Sequence, residues 1–296
     1  MRYDAHERLV APARASNQPL LLLAGLVLMV LIFMALNLGY SILHSALIGP
    51  EAWGVLAAEL ATGGTPRAVL INLFLFIFLI VALAAALRAL HNRGLLSVIG
   101  PLPLAIQQFR QVGLAVLALF AVVSLLLPAG EAMQPAPNLA PGTWIMLLPL
   151  ALLALLIQTG AEELVFRGYL QSQLAARFSH PLVWLALPAL CFAVLHYDPA
   201  THGQNTWLVV GWAALFGLAA ADLTARAGTL GPAIALHMVN NLSAIVLVAP
   251  EGNFDGLALY TYPFSLDDAA AIWAWAPVDI MVLFCGWLIA RIALRR

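Results

Sequence analysis

The stretch TGAEELVFRGYLQSQL sets Glu162, Glu163 and Arg167 directly after the apolar run LLPLALLALLIQ. Ionisable side chains inside an apolar span are costly and are functional candidates by default. Glu163 and Arg167 are four residues apart, so on a helix they share one face and neutralise each other. Glu162 is rotated by about 100° from that face. It is the excess charge, and it requires a partner from another helix. Two later segments offer partners: FAVLH with His196, and HMVNN with His237 and Asn241. A glutamate beside histidines in a partly dry pocket suits activation of water. The carboxylate takes the proton while imidazole or amide groups hold the water or an oxyanion. Alternatively, Glu162, His196 and His237 would ligate a divalent metal such as zinc, whose bound water attacks. Asn241 is a poor zinc ligand and fits better as an oxyanion donor. The sequence contains no H-E-x-x-H, no G-x-S-x-G and no paired membrane aspartates, which disfavours other hydrolase designs.

These residues must be carried by membrane helices. Of 296 residues, 63% are hydrophobic and 9% charged, and the mean hydropathy is +0.96. A soluble domain carries about 25% charged residues. The composition therefore predicts an all-α polytopic membrane helix bundle. Runs of roughly 20 apolar residues, enough to cross the hydrocarbon core, fall near 20–47, 68–90, 112–128, 143–178, 181–197, 206–226, 230–249 and 271–292. That makes eight transmembrane helices. The first run lacks an A-x-A cleavage pattern and reads as an uncleaved anchor.

Arginines orient the bundle. Arg2, Arg8, Arg14, Arg88, Arg93, Arg110, Arg177, Arg226, Arg291, Arg295 and Arg296 all fall on one side if eight helices alternate. The opposite loops carry Glu51, Glu59, Glu131, Asp198, Glu251, Asp255, Asp267 and Asp268, with Arg67 the sole base. Both termini are expected in the cytoplasm (N-in/C-in). All 13 basic residues are arginine, a trait of GC-rich genomes, so a bacterial cytoplasmic membrane is expected. No basic patch exists, so nucleic acid is excluded as a partner. Cys191 and Cys285 lie in apolar spans and read as small core residues.

The expected organisation is a cytoplasmic segment at 1–19, three transmembrane helices at 20–128, a four-helix unit at 143–249, and a last helix with a basic tail at 271–296. Counting sets the depth of the candidates. With a turn near Ser179-His180-Pro181, Glu162 lies 17 residues before Ser179 and His196 lies 17 after it. Two antiparallel helices of equal rise, roughly 1.5 Å per residue, bring the two to one level. Asp222 lies four residues before Arg226 and reads as a structural pair. Tyr260, Tyr262 and Phe264 read as interfacial belt residues, and Asp279 falls nearer a span end.

EELVFR, FAVLH and HMVNN also fit the patterns EExxxR, FxxxH and HxxxN, in that order and each on its own hydrophobic helix. In this, residues 143–249 resemble the four-helix core of the CPBP family, the type II CAAX prenyl endopeptidases and bacteriocin-processing proteins. The resemblance implies an intramembrane endopeptidase, hydrolysing a peptide bond near the cytosolic membrane interface with its active site towards the cytoplasm. It implies that Glu162 activates water together with His196, and that His237 and Asn241 position it or stabilise the oxyanion. Glu163 pairs with Arg167, and Phe192 packs the site wall. The type, glutamate or metallo, stays open. The implied partners are a peptide or membrane-protein substrate and the lipid bilayer. Two other classes compete: a non-catalytic scaffold or immunity-type protein of the same fold, and a proton-coupled transporter using Glu162 and the histidines as a relay. The transporter lacks the expected inverted repeats.

Overall fold

Proline opens most of the helices. Pro19, Pro50, Pro66, Pro141, Pro181, Pro199 and Pro232 each lie in the first turn of one, where the missing N–H has no intrahelical partner to lose. The computed structural model describes residues 3–126 and 133–295. Arg2, Glu131, Arg296 and the expected end of the third span lie outside the described residues. In chain order, the first helices are α1 (Glu7–Arg14), α2 (Pro19–Ile48), α3 (Pro50–Thr62), α4 (Pro66–Leu75), α5 (Ile77–His91), α6 (Leu96–Ile99) and α7 (Leu102–Leu126). There follow α8 (Pro141–Glu163), α9 (Ser172–Ala175), α10 (Pro181–Val194), α11 (Pro199–His202), α12 (Thr206–Ala227), α13 (Gly231–Asn241) and α14 (Ala269–Leu294). Leu164–Gln171 joins α8 to α9 as a π-helix, and Leu242–Leu247 extends α13 in the same way.

Among the described residues, six continuous helical segments are long and apolar enough to cross a membrane: Pro19–Ile48, Pro66–His91, Leu102–Leu125, Pro141–Ala175, Pro199–Ala227 and Ala269–Leu294. Two shorter apolar helices, Pro181–Val194 and Gly231–Leu247, lie where the other two of the eight expected spans fall. The outside of the bundle is what a lipid solvent permits. Along α2 only Gly25 and Met29 are buried, while Leu20, Leu31, Met34 and Leu38 stand exposed. In water such a continuous apolar surface would drive association. The third span starts at Leu102 and not near 112, and one of its early polar residues is satisfied inside the bundle. Gln108 donates to Ala227 O and accepts from Thr229 Oγ1.

The two ends of the bundle differ in charge as the sequence predicts. At the arginine-rich end, Arg8 donates to Ala227 O (3.0 Å), Leu230 N to Ile99 O (3.0 Å), and Arg177 to Ser16 O (2.9 Å) and Gln18 O (2.7 Å). At the acidic end a small sheet forms that an all-helical reading does not foresee. Strand β3 (Tyr260–Tyr262) pairs antiparallel with β1 (Ala136–Pro137) and parallel with β2 (Val248–Pro250). Tyr262 and Phe264 are not a lipid belt. Their rings stack at 5.3 Å, and Phe264 is buried.

Helix α1 closes the arginine-rich end. Leu9, Val10 and Ala13 face inward, and Arg14 pairs with Glu7 at the surface. Just before it, His6 is buried against Trp184 with ring centroids 4.8 Å apart. Burial lowers its pKa from 6.5 to about 4. The folded protein therefore binds fewer protons than the unfolded chain between those values, and stability falls as pH drops through that window. The slope is at most about 1.4 kcal/mol per pH unit. The melting midpoint in detergent should decline from pH 6.5 to pH 4, and His6→Phe should flatten that decline. A His6→Phe profile parallel to wild type would assign the pH dependence to other groups.

Candidate active site

The helix carrying the three charges changes its winding at the site. After Glu163 it loosens into the π-helix Leu164–Gln171, a distortion often found at functional sites. Gly168 lets this segment lie against α6, since a Cβ there would come within 2.8 Å of Val98 O. From Glu163 to Leu174 every residue is buried. Glu162 sits just before this sealed stretch and keeps 15% of its side chain accessible, whereas Glu163 and Arg167 keep none.

Those two buried charges hold each other. Arg167 Nη1 donates to Glu163 Oε1 at 3.0 Å. The guanidinium carbon lies 4.6 Å from the Phe192 ring centroid, 5.8 Å from Phe166 and 6.0 Å from Phe216. Aromatic faces attract a cation, by about 2 kcal/mol or more where water is excluded. Arg167 Nε and Nη2 find no hydrogen-bond partner among the described residues, so the rings are the rest of its environment. Phe192 thus lines the site wall as a cation-binding face.

Glu163 does more than pair with Arg167. The same Oε1 accepts from His237 Nδ1 at 2.8 Å. A carboxylate only accepts, so Nδ1 carries the proton. The other ring nitrogen, Nε2, faces Glu162 Oε2 at 3.5 Å, beyond an ordinary hydrogen bond. One imidazole from α13 therefore stands between two carboxylates that are neighbours in sequence. Their separation around the helix axis opens the space it fills. Phe216 packs edge-on against it at 4.8 Å.

Phe166 and Phe192 meet at 5.3 Å across antiparallel helices. Glu162 is one turn before Phe166, and His196 is one turn after Phe192. Helix α10 ends at Val194 and not near 197, because Asp198 turns the chain to cap α11, accepting from Ala200 N and Thr201 N. His196 therefore lies in a turn. Its Nδ1 is 2.9 Å from Phe192 O, which as a carbonyl only accepts, so Nε2 holds the lone pair of a neutral ring. The ring rests on Phe192 at 4.5 Å.

Asn241 is one turn beyond His237. Its amide donates to Gln158 Oε1 at 2.9 Å, and Gln158 is one turn before Glu162. Sequence reasoning passed over Gln158. Its signal was an amide in an apolar run, four residues from the key glutamate. Asn240, on an adjacent face, reaches Asn241 Oδ1 at 3.4 Å.

A zinc site on Glu162, His196 and His237 requires three donors converging at about 2 Å from one point. Among the described residues no group of three or more His, Cys, Asp or Glu is so arranged. His237 Nδ1 is held by Glu163 and His196 Nδ1 by a backbone carbonyl, which leaves Nε2 of each ring open. The donor geometry gives the metal reading no support, and no step is routed through a metal below.

The segment that supplies every one of these side chains can be compared with known proteins. Residues 143–243 match the family described as type II CAAX prenyl endopeptidase Rce1-like. All three motifs lie inside this Rce1-like region. A Bacillus subtilis (strain 168) protein, YyaK, described as uncharacterized, is 28% identical over 114 residues. That match spans 38% of this chain and 38% of the relative, well under half of either. No solved structure matches the chain.

Proposed function

We propose that the protein is an intramembrane endopeptidase of glutamate type. The observation that carries the proposal is the position of Glu162, a partly accessible carboxylate beside an imidazole whose other nitrogen is anchored by a buried ion pair. In this mechanism water occupies the accessible side of Glu162, at the level of His196. Glu162 takes a proton as the water oxygen bonds to the peptide carbonyl carbon, and the carbonyl oxygen becomes an oxyanion. The His237 Nε2 edge, protonated, stabilises that oxyanion. Asn241 joins it if its amide leaves Gln158, and His196 Nε2 positions the water. Glu162 then returns its proton to the amide nitrogen, the C–N bond breaks to give a carboxylic acid and an amine, and the acid's proton passes to the amine so that a carboxylate and an ammonium leave.

The catalytic core in this reading is 143–249, enclosed by the three helices of 20–128 and the last helix of 271–296. The arginine-rich end faces the cytoplasm of a bacterium, with residues 1–19 there. Glu162 lies 13 residues before Ala175 and 21 after Pro141, hence about 20 Å from the arginine-rich end of its helix and about 32 Å from the other. This supports cleavage in the cytoplasmic half of the membrane. The sealed stretch from Glu163 to Leu174 blocks approach along the helix axis. Entry passes the turn after Val194, where Leu195 and Tyr197 are exposed. The substrate is a peptide or a membrane-protein segment.

The test is cleavage of quenched-fluorescent peptides by purified protein in detergent, with and without a chelator. Cleavage that survives chelation and disappears in Glu162→Ala is expected. Loss on chelation would restore the metal reading, and inactivity towards all membrane-proximal peptides would favour a scaffold of the same fold.

A further inference from the structure

Asp279 lies ten residues into α14, one turn after Trp275, within a span otherwise uncharged from Ala269 to Ala290. No hydrogen bond or ion pair engages its carboxylate among the described residues. An unpaired acid at such a place is expensive, and its natural complement is a cation. The carboxylate lines a cavity of about 370 Å³ between α12, α13, α14 and the chain at 248–266. Its walls include Trp212, Tyr262, Phe264 and Trp275. Tyr262 and Trp275 meet at 5.5 Å. Tyr262 and Asp279 both line this cavity. Two buried nitrogens on the same cavity, His202 Nδ1 and Trp212 Nε1, have no hydrogen-bond partner.

This cavity touches the candidate active site on two sides. Trp212 stacks on Phe216 at 5.6 Å, and Phe216 packs on His237. Asn240, on the cavity wall, is bonded to Asn241. One layer of side chains, with Trp212 and Phe216 in it, separates Glu162 from the cavity, so the cavity takes a residue further along the bound chain than those flanking the scissile bond. We infer that the cavity is a specificity pocket for a lysine or arginine side chain of the peptide cleaved at Glu162. The aliphatic stem lies on Leu208, Val209 and Ile272, and the charged head meets Asp279 among the aromatic faces. Carboxylate and ring faces together recognise a cation better than either alone. The inference rests on the peptidase reading, and binding separates the two.

The probe is N-acetyl-Leu-Lys-Leu-amide, compared with its norleucine isostere, titrated by tryptophan fluorescence against the Glu162→Ala protein in detergent. The lysine peptide should bind about tenfold more tightly, a difference typical of one desolvated cation contact. Adding Asp279→Asn should bring the ratio within about twofold, while the melting midpoint holds or rises because an unpaired charge within a span is gone. Asp279→Ser serves as the second variant should the amide misfold. Equal binding of both peptides before Asp279 is changed, or a ratio untouched by either variant, overturns the pocket. If the ratio behaves as expected but the unmutated protein cleaves nothing, the cation pocket stands and the peptidase reading falls.

Discussion

Glu162→Gln should lower the rate of peptide cleavage by about 10²–10⁴-fold, the range for removal of a general base, and leave the fold intact. The structure separates the two effects. Glu162 has no close hydrogen bond to lose, since His237 Nε2 is 3.5 Å away, and its side chain is already partly accessible. An amide of the same shape costs little there. Chemistry is another matter, because glutamine cannot take the proton from water. The loss should therefore fall on kcat with KM nearly unchanged, as for an interaction used only in the transition state. Single-turnover cleavage beside thermal unfolding in detergent measures both. Activity within about twofold of wild type would remove Glu162 from the base role. The same result with an inactive Glu163→Gln would exchange the two glutamates.

How far this arrangement can be read before folding depends on the kind of interaction. Six of the eight apolar spans were legible because each is a run close to the bilayer's thickness, and prolines mark the starts of several. The pairing of the helix that carries Glu162 with α10 was legible too, and Phe166 and Phe192 meet there at 5.3 Å. Glu163 was read as absorbed by Arg167. One carboxylate oxygen accepts two hydrogen bonds, and the second donor, His237, comes from a helix 74 residues on. No spacing rule sets the rotation of α13 that brings it there. The π-helix after Glu163 was equally hidden, since no residue pattern in LVFRGYLQ distinguishes it from an α-helix. The small sheet pairs Ala136 with Thr261, and strands of two or three residues leave no periodic pattern. Asp279 was visible as an acid in α14, but the inward turn of Tyr262 and Phe264 that makes its cavity was not.

Glu163→Leu should destabilise the protein by about 3–5 kcal/mol, because it strands Arg167 as an uncompensated buried charge. Removing both charges should recover much of that loss, as apolar replacements of buried pairs often do. Two double variants then divide scaffolding from positioning. Glu163→Leu with Arg167→Met fills the volume and offers His237 Nδ1 no acceptor. Glu163→Gln with Arg167→Met is equally uncharged but keeps an oxygen where Oε1 stands. If the pair only steadies the helix, the two should cleave peptide equally once both are folded. If Glu163 holds the His237 imidazole towards Glu162, the leucine variant should be slower by about 10²-fold, the scale of a misplacement of about 1 Å. The glutamine variant should regain part of the rate, since its amide oxygen still accepts from Nδ1. Melting midpoints verify that both are folded, and the ratio of their kcat values reads the positioning alone. A ratio near one would confine Glu163 to the ion pair and leave His237 oriented by Phe192 and Phe216.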